Sequence, residues 1–499
     1  MFRLFGPPGT GKTTTLLNMV DKALSEGLDP TQIGFLAFTR KAANEAKERA
    51  SVRFNLDPEK DLCHFRTIHS LAYRTLAIKS DQVVQKEHFE ELSEKVGMEL
   101  RVHRMEDDEI GGSVTSDHPI LSLMNLARLK KTSLQREYDL SSIDFQWHEV
   151  DYLDRTYRAY KQVNSLIDFT DLLQMFLDSE QACPHFELCF MDEAQDLSPL
   201  QWDIAHKIDS RSSRMYCAGD DDQAIYRWAG ADVNHFIHLS GDSETLEQSY
   251  RIPRAVHQVA ESIVTRISDR FPKTYLPREE EGMVTRMPSI DDIEIGDGSW
   301  LIMAQANYML TPLTQDLKSR GLLFERNGHR SISEKLTIAV NAWEALRKGR
   351  HILTDHAQTI YGFMTGNNEK VGRGKKTIKT DAETVNLKQL QREHGLLAGA
   401  DEIWSQALNK IPDVDRAYIT ALLRSGEKFN AKPRIKLSTI HGAKGGEADN
   451  VILLQDLSYS ALQNNLSDDL HRVFYVAVTR TKQNLFLIDP EDTFRSYSI

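Results

Sequence analysis

Residues 6–13 spell GPPGTGKT, a complete G-x-x-x-x-G-K-[ST] loop that restricts the fold more than any other segment. Glycines in this spacing let successive backbone N–H groups turn inward around a phosphate, and a following helix points its positive end at it. The segment 2–5 (FRLF) predicts a strand, and the amphipathic pattern of 13–24 predicts a helix. A strand, a phosphate loop and a helix in this order predict a P-loop nucleotide-binding fold, and an ordinary glycine-rich turn is the alternative.

The residues of this loop predict contacts with ATP and with a Mg²⁺ ion. Lys12 is expected to reach the β- and γ-phosphate oxygens, and the Thr13 hydroxyl is expected to ligate Mg²⁺. The predicted ATP-binding residues of the loop are Gly9, Thr10, Gly11, Lys12, Thr13 and Thr14.

A second apolar run, 188–191, ends in the acidic segment 192–196 (DEAQD). Triphosphate hydrolysis requires a carboxylate near the metal and a group that orients the attacking water. We therefore expect Asp192 to hold the Mg²⁺ shell and Glu193 to act as the general base. A charged cluster that closes a strand is the alternative, which the preceding phosphate loop disfavours.

A third apolar run, 215–218, is followed by GDDDQAIYRWAGA at 219–231. The amide of Gln223 could sense a γ-phosphate, and two aromatic residues, Tyr226 and Trp228, follow within a few positions. Bases of a single strand stack on aromatic side chains for about 1–3 kcal/mol each. The segment therefore predicts coupling between nucleotide and nucleic acid, and burial of both aromatics in the core is the alternative.

These motifs resemble those of the UvrD/Rep/PcrA type of superfamily 1 DNA helicases. Similar motifs recur in the family's order from end to end, at 36–43 (LAFTRKAA), 67–71 (TIHSL), 168–173 (DFTDLL), 246–251 (LEQSYR), 437–447 (LSTIHGAKGGE) and 474–482 (FYVAVTRTK). The resemblance implies an α/β fold with two RecA-like P-loop NTPase lobes, each a parallel sheet flanked by helices. Each lobe would carry a mainly helical insertion.

The resemblance also implies roles for individual residues. The catalytic residues would be Lys12, Glu193, Gln223, Arg251 and Arg480. Tyr250 would stack on the nucleotide base, and Glu447 would contact the ribose. The side chains expected to contact the strand are Phe38, Thr39, Arg40, Thr67, His69, Tyr226, Trp228, Thr439 and His441. Arginines from one lobe that cap a nucleotide held by the other would make lobe closure depend on the γ-phosphate.

Two features of this chain depart from the family pattern. The family's glutamine that recognises the adenine edge lies upstream of the phosphate loop, and this chain begins just before the loop. We therefore expect relaxed choice among nucleoside triphosphates. Arg40 stands where the family has asparagine, which predicts an added phosphate contact.

The motifs fall in two groups, and each group is interrupted. We expect a first lobe at 1–71 and 166–260 with a helical insertion at 72–165, and a second lobe at 261–330 and 433–499 with a reduced insertion at 331–432. The acidic stretch 105–117 predicts a loop. The basic, glycine-rich stretch 371–376 predicts a loop that contacts a duplex backbone or, alternatively, a solvated tip.

Composition disfavours several classes of protein. The formal net charge of −12 disfavours a protein that coats nucleic acid indiscriminately, although a narrow strand-binding channel is compatible with it. The four cysteines form no C-x-x-C pair, so no zinc ribbon is indicated. No run approaches the ~18 apolar residues of a membrane span, and the first motif leaves no room for a leader. We expect a cytoplasmic protein with no membrane partner.

The whole pattern predicts an ATP-dependent DNA helicase or translocase that moves 3′-to-5′ on single-stranded DNA and separates duplexes. Its expected partners are single-stranded DNA, junctions with duplex DNA and an accessory replication, repair or nuclease protein, around a monomeric core. The alternative is a translocase that strips proteins from DNA, or an NTPase subunit of a nuclease or repair complex, without productive unwinding. A small-molecule kinase is a further alternative that the phosphate loop alone would allow.

Overall fold

The structure, a computed structural model, describes residues 1–104, 114–116, 118–463 and 467–499. The chain divides into two compact units. Unit 1 contains Met1–Gly282 and Leu466–Thr479, and unit 2 contains Met283–Asn465 and Arg480–Ile499. Both units are built on a mainly parallel sheet flanked by helices, which confirms the predicted α/β class with two RecA-like lobes.

Unit 1 contains a six-stranded parallel sheet. Its strands, with the two of a small separate ladder, are β1 (Phe2–Phe5), β2 (Ile33–Ala37), β3 (Phe65–Thr67), β4 (Val102–Arg104), β5 (Val114–Ser116), β6 (Leu188–Asp192), β7 (Met215–Gly219) and β8 (Ser243–Thr245). The order in the sheet is β3-β2-β6-β7-β1-β8. All neighbouring strands are parallel, so the chain crosses a face of the sheet between successive strands. Strands β2 and β6 are buried along their whole length, as central parallel strands require.

Unit 1 has helices on both faces of this sheet and further helices outside it. They are α1 (Lys12–Ser25), α2 (Arg40–Phe54), α3 (Ile68–Thr75), α4 (Lys86–Val96), α5 (Pro119–Leu129), α6 (Leu134–Asp139), α7 (Trp147–Val163), α8 (Phe169–Asp178), α9 (Pro199–Ser210), α10 (Val233–His238) and α11 (Arg254–Val264). Alternate residues of β6 face opposite sides, because strand side chains have a period of two. Leu188 and Phe190 pack with α1 and α2, whereas Cys189 and Met191 pack with α3, α8 and α9.

The helices α4 to α7 form a subdomain with its own hydrophobic cluster, which spans residues 84–166. Ion pairs tie it to the start of α8: Arg128 donates to Asp168 at 2.7 Å, and Lys161 donates to the same carboxylate at 2.6 Å. Burial alone would raise the pKa of Asp168, but the two cations hold it well below its usual range. The DFTDLL motif therefore anchors the subdomain to the sheet.

Unit 2 contains a seven-stranded sheet. The strands of unit 2 are β9 (Met283–Met287), β10 (Trp300–Ala304), β11 (Phe324–Arg326), β12 (His329–Arg330), β13 (Ile352–Leu353), β14 (Thr384–Val385), β15 (Ile435–Thr439), β16 (Ala448–Leu454) and β17 (Thr481–Ile488). The sheet order is β12-β11-β15-β10-β16-β17-β9, and only the β11–β12 pair is antiparallel. Strands β13 and β14 form a separate two-stranded ladder.

The helices of unit 2 are α12 (Thr311–Ser319), α13 (Glu334–Arg347), α14 (Thr354–Gly362), α15 (Leu387–Glu393), α16 (Trp404–Ala407), α17 (Asp413–Ser425) and α18 (Tyr459–Gln463). One continuous hydrophobic cluster joins the sheet to the helices between residues 334 and 425. The fully buried Trp343 lies in this cluster, and its indole N–H donates to the Glu402 carbonyl at 2.9 Å. The second insertion therefore shares its core with the sheet that carries it.

The helix α19 (Ser467–Val478) belongs to unit 1, although its sequence leads into the last motif. It packs against α11, and the buried Arg472 donates to the carbonyl oxygens of Asp221 at 3.0 Å and of Asp269 at 2.5 Å. The motif positions predict a second lobe of 261–330 and 433–499. The compact units change at Gly282 and at both ends of α19, because these buried contacts hold α19 on unit 1.

Most predicted elements occur with shifted ends. The helix predicted at 13–24 is α1, which runs one residue further in both directions. The predicted loop 105–117 lies mostly outside the described residues, and its part 114–116 is strand β5, which pairs with β4. None of the helices in the described part of the chain has the length and apolarity to cross a membrane.

Candidate nucleotide site and nucleic-acid interface

The phosphate loop connects β1 to α1 in unit 1. Gly9 and Gly11 have φ of 73° and 79°, which is the left-handed region that favours glycine. The Lys12 ammonium donates to the Gly6 carbonyl at 2.9 Å, and the Thr10 hydroxyl donates to the Pro7 carbonyl at 2.8 Å. A Cβ on Gly6 would lie 1.9 Å from Cγ of Lys12, so only glycine leaves room for this lysine. Thr14 is in the first turn of α1.

The LEQSYR segment packs directly on this loop. The Tyr250 N–H donates to the Gly9 carbonyl at 2.9 Å, and the Ser249 hydroxyl donates to the Pro8 carbonyl at 2.8 Å. A Cβ on Gly9 would lie 2.4 Å from Cβ of Arg251. Tyr250 is 74% exposed, so its ring is available for stacking beside the loop. The structure thus brings Tyr250 and Arg251 to the phosphate loop within unit 1.

The carboxylate of Asp192 lies at the end of β6 and accepts a hydrogen bond from the Thr13 hydroxyl at 3.0 Å. Burial and the neighbouring charge of Glu193 raise the pKa of Asp192 to about 6, although Lys12 opposes this. A buried carboxylate beside a hydroxyl is an oxygen donor set that suits Mg²⁺. A divalent cation there would stabilise the ionised carboxylate, so the residues present fit this metal.

Glu193 and Gln223 are connected through two other side chains. Glu193 has a φ of 57°, a left-handed conformation that is uncommon outside glycine and concentrates at functional sites. Its carboxylate accepts from the amide of Gln195, whose oxygen accepts from the Asp220 N–H at 3.0 Å. The Gln223 amide donates to the Asp220 carboxylate at 2.6 Å. A continuous chain of buried polar contacts therefore links the end of β6 to the loop after β7.

The neighbouring acidic cluster has a structural role. The carboxylates of Asp220, Asp221 and Asp222 approach one another within 4.8 Å and are buried. Lys273 lies within 3.2 Å of all three, and Arg270 donates to Asp222 at 2.8 and 2.7 Å. Burial opposes the charge of Lys273, but the three carboxylates raise its pKa above the usual range. Protein cations therefore compensate this cluster, which needs no metal.

Three predicted strand-contacting aromatics form one group, here called the aromatic ridge: Phe38, Tyr226 and Trp228. The Phe38 and Tyr226 rings stack with centroids 5.7 Å apart, and Trp228 lies 6.4 Å from Tyr226 at a tilt of 57°. Trp228 is 67% exposed, whereas Phe38 and Tyr226 are half-buried. The alternative in which both aromatics of the segment are buried in the core therefore does not hold for Trp228.

Other predicted contact residues of unit 1 have local structural roles. The Thr39 hydroxyl accepts from the Ala42 N–H at 3.2 Å and caps α2, which begins at Arg40. The Thr67 hydroxyl accepts from the Ser70 N–H at 3.1 Å and caps α3. Burial lowers the pKa of His69 to about 4, so its imidazole is neutral near pH 7. His69 could therefore offer a strand a neutral hydrogen-bonding group rather than a positive charge.

The remaining predicted residues belong to unit 2. The Thr439 hydroxyl accepts from the Gly442 N–H at 3.1 Å, just before His441. The Glu447 carboxylate pairs with Lys482 at 2.7 Å. Arg480 is buried, and its guanidinium donates to the Gly446 carbonyl at 3.4 Å. These residues lie at the ends of β15 and around the β16–β17 pair.

Sequence reasoning missed three residues that organise these sites. Gln195 bridges two motifs, Ser249 holds the phosphate loop, and Lys482 neutralises Glu447. All three residues lie inside the sequence motifs, but the identity of a motif residue does not show which neighbouring group its side chain contacts. Gln195 was the most detectable, because a buried amide between two carboxylates must find partners.

Comparison with known proteins identifies the family. Residues 3–244 match the family model of the UvrD/REP helicase N-terminal domain, and residues 435–488 match that of the UvrD-like helicase C-terminal domain. The chain belongs to the UvrD/Rep/PcrA type of superfamily 1 helicases, as its motifs predicted.

Two relatives illustrate the similarity. The ATP-dependent DNA helicase PcrA of Bacillus subtilis (strain 168) is 24% identical over 349 residues, which is 66% of this chain and 46% of the relative. The ATP-dependent DNA helicase PcrA of Leuconostoc citreum is 26% identical over 280 residues, which is 53% of this chain and 37% of the relative. The chain thus matches less than half the length of either relative.

Proposed function

We propose that this chain is an ATP-dependent DNA helicase that moves 3′-to-5′ on single-stranded DNA and separates duplexes. The observation that carries the proposal is the polar chain Glu193–Gln195–Asp220–Gln223, which leads from the phosphate site to the segment that bears Tyr226 and Trp228. A nucleotide-dependent change at one end therefore has a physical route to an exposed aromatic surface. The names of the relatives, ATP-dependent DNA helicases, agree with this assignment.

The proposed hydrolysis uses groups of unit 1 that already lie together. Backbone N–H groups of the loop and Lys12 would bind the phosphates, and Arg251 would stabilise charge on the transferring phosphoryl group. Glu193 would accept a proton from the attacking water, because its charge is close enough to raise the pKa of Asp192 and its carboxylate is held by the Gln195 amide. Mg²⁺, held by Thr13 and Asp192, would neutralise charge on the β- and γ-phosphate oxygens when bound.

We infer that the strand crosses the aromatic ridge, with one base stacked on Trp228. Thr39, Arg40, Thr67 and His69 follow β2 and β3, which are neighbouring strands of the same sheet, so their ends lie at the same sheet edge. Thr439 and His441 would contact the strand from unit 2. Hydrolysis that alters Gln223 would then change how Tyr226 and Trp228 hold a base.

We propose that two side chains of unit 2, those of Arg480 and Glu447, contact the nucleotide. Arg480 would serve as a second arginine finger, and Glu447 would contact the ribose while remaining paired with Lys482. Base recognition would rest on stacking by Tyr250. ATP and GTP should therefore support similar hydrolysis rates, and a strong preference for ATP would contradict this part of the proposal.

The proposal also covers the compartment, the oligomeric state, the partner and the direction of movement. We infer that the protein acts in the cytoplasm as a monomeric core with an accessory replication, repair or nuclease protein as partner. The QAIYRW segment, 223–228, supports the 3′-to-5′ direction, because it matches the branch of the superfamily that moves that way.

Unwinding of tailed duplexes tests the proposed activity. The same duplex is prepared with a 3′ single-stranded tail, with a 5′ tail and with blunt ends, and strand separation is followed with ATP and Mg²⁺. We expect separation of the 3′-tailed substrate alone. Separation of the 5′-tailed substrate would overturn the direction, and displacement of a bound protein without strand separation would favour a protein-stripping translocase.

A further inference from the structure

The second insertion in unit 2 contains a cavity of about 420 Å³. Its lining includes three glycines, Gly366, Gly372 and Gly374, together with Asn367, Lys376 and Lys410. The cavity lies on the basic, glycine-rich stretch 371–376, which the proposed function does not use. None of these residues belongs to the nucleotide site or to the aromatic ridge.

The backbone around the cavity is held in a fixed turn. Asn367 and Gly374 have φ of 56° and 74°, and both residues favour this region more than other residue types do. The fully buried Val371 donates its N–H to the Thr365 carbonyl at 3.1 Å, and Gly372 donates to the Gly395 carbonyl at 2.8 Å. These bonds argue against a freely solvated tip, because the loop is pinned on both sides of the turn.

Positive charge is concentrated at the cavity. The Lys376 ammonium donates to the carbonyl oxygens of Tyr361, at 3.0 Å, and of Met364, and an ammonium has three N–H donors. Within the described residues, the Lys410 ammonium has no hydrogen bond or ion pair. Burial and the charge of Lys410 lower the pKa of Lys376, so the two charges are close enough to repel.

One carboxylate lies beside this pair. Glu369 lines the cavity and accepts from the neutral Asn409 amide at 2.8 Å, so its charge offsets one of the two ammonium groups. Glu402 pairs instead with Lys370. Arg373 and Lys375, which are exposed, add further positive charge to the same loop. Two repelling ammonium groups beside glycine backbone form a site for a small, multiply charged oxyanion.

We propose that this cavity binds a phosphate group, carried either by a nucleic-acid backbone or by a free nucleotide, through Lys376 and Lys410. Binding of a nucleic-acid backbone would extend the proposed function and rests on it. It would give unit 2 a contact with nucleic acid in addition to the strand on the aromatic ridge. The phosphate site itself depends only on the residues described in the preceding paragraphs.

Binding by the full chain tests the site. Fluorescence anisotropy is measured across a salt series with a single-stranded oligonucleotide, a blunt duplex and the same duplex with a 3′ tail, and a fluorescent ATP analogue is titrated separately. The test variant is Lys410→Gln, which removes an exposed side chain with no partner among the described residues. Lys410→Arg retains the charge, and Lys348→Gln removes an exposed lysine from the same insertion outside the cavity.

For a nucleic-acid phosphate, Lys410→Gln should weaken duplex-containing ligands roughly threefold to tenfold and make the salt slope shallower by about 0.9. Lys410→Arg and Lys348→Gln should match the wild type. For a free nucleotide, only the affinity for the ATP analogue should fall. Unchanged affinity and slope for every ligand would overturn the phosphate site.

A separate readout distinguishes this site from the proposed function. Loss of duplex binding in Lys410→Gln, in a chain whose ATP hydrolysis does not respond to single-stranded DNA, would retain the phosphate site and reject the motor. DNA-stimulated ATP hydrolysis by the wild-type chain, together with unchanged duplex binding by Lys410→Gln, would retain the motor and reject the phosphate site.

Discussion

Unit 1 and unit 2 each contain a strand, a loop and a helix in succession within a mainly parallel sheet, but the two loops differ in chemistry. Between β1 and α1 the loop carries Gly6, Gly9 and Gly11, and two of these have positive φ. Between β10 and α12 the segment 305–310 (QANYML) contains no glycine and forms a 3₁₀ turn. Only the first loop can turn its N–H groups around a phosphate.

The strand ends that carry carboxylates differ in the same way. Asp192, after β6, faces Thr13 and Glu193, and these carboxylates can serve a metal and a water. Asp456 follows β16 and accepts from the Glu491 N–H at 3.1 Å, so it stabilises a turn. The residues that follow the strands therefore decide which sheet can perform hydrolysis.

The largest expected effect tests whether hydrolysis belongs to unit 1. Glu193→Gln should retain nucleotide binding but lower kcat for ATP hydrolysis by up to ~10⁴-fold, because the water loses its base. The matched variant at the other sheet, Asp456→Asn, should hydrolyse ATP at the wild-type rate. Steady-state ATPase and binding of a fluorescent ATP analogue measure both. Equal losses in the two variants would remove the distinction between the sheets.

The next effect tests what unit 2 contributes. Arg251→Ala and Arg480→Ala should each lower kcat by about 10³-fold if both arginines act on the transferring phosphoryl group. Arg424→Ala, which removes an exposed arginine of α17, is the control and should leave kcat unchanged. Full activity in Arg480→Ala would mean that unit 1 hydrolyses ATP without an arginine from unit 2.

A smaller effect tests the aromatic ridge. Trp228→Ala should weaken binding of single-stranded DNA by about 1–3 kcal/mol, which is the contribution of one stacked base. Nucleotide affinity should be nearly unchanged. Phe494→Ala, which removes a ring that is 92% exposed on unit 2, should affect neither. A comparable loss of nucleotide affinity in Trp228→Ala would take Trp228 out of the strand path.

The smallest effect concerns His69 and acid stability. The folded-state pKa of His69 is about 4, against 6.5 for an unfolded histidine, so the unfolded state binds a proton first as pH falls. His69 therefore stabilises the fold fully above pH 6.5, and this contribution is lost between pH 6.5 and 4. Urea unfolding should show the difference between wild type and His69→Gln shrinking by about 1–2 kcal/mol over that window.

The exposed His351→Gln variant is the control for this titration. It removes an imidazole that is exposed to solvent, so the comparison isolates the effect of burial at His69. A constant difference for His69→Gln would show that His69 is solvated and titrates normally.

The motifs predicted the fold class well, because each pairs a buried apolar strand with a functional loop. Runs such as 188–191 and 215–218 are too apolar to lie anywhere but in a sheet covered on both faces, and the structure has β6 and β7 there. The phosphate loop was equally predictable, since its glycine positions are dictated by backbone conformation.

Long-range contacts could not be predicted in this way. The packing of α19 on unit 1 depends on Arg472 reaching carbonyl oxygens some 200 residues away, at Asp221 and Asp269, and no local pattern encodes that choice. The pairing of Glu447 with Lys482 likewise depends on the β16–β17 register. Sequence motifs identified these residues but not their partners.

The account depends on coupling between hydrolysis in unit 1 and a strand on the aromatic ridge. The most direct test is the steady-state ATPase rate of the wild-type chain with and without single-stranded DNA, at saturating ATP and Mg²⁺. We expect the rate to rise strongly with DNA, and the rise to be reduced in Trp228→Ala. A wild-type rate that is the same with and without DNA would contradict the account.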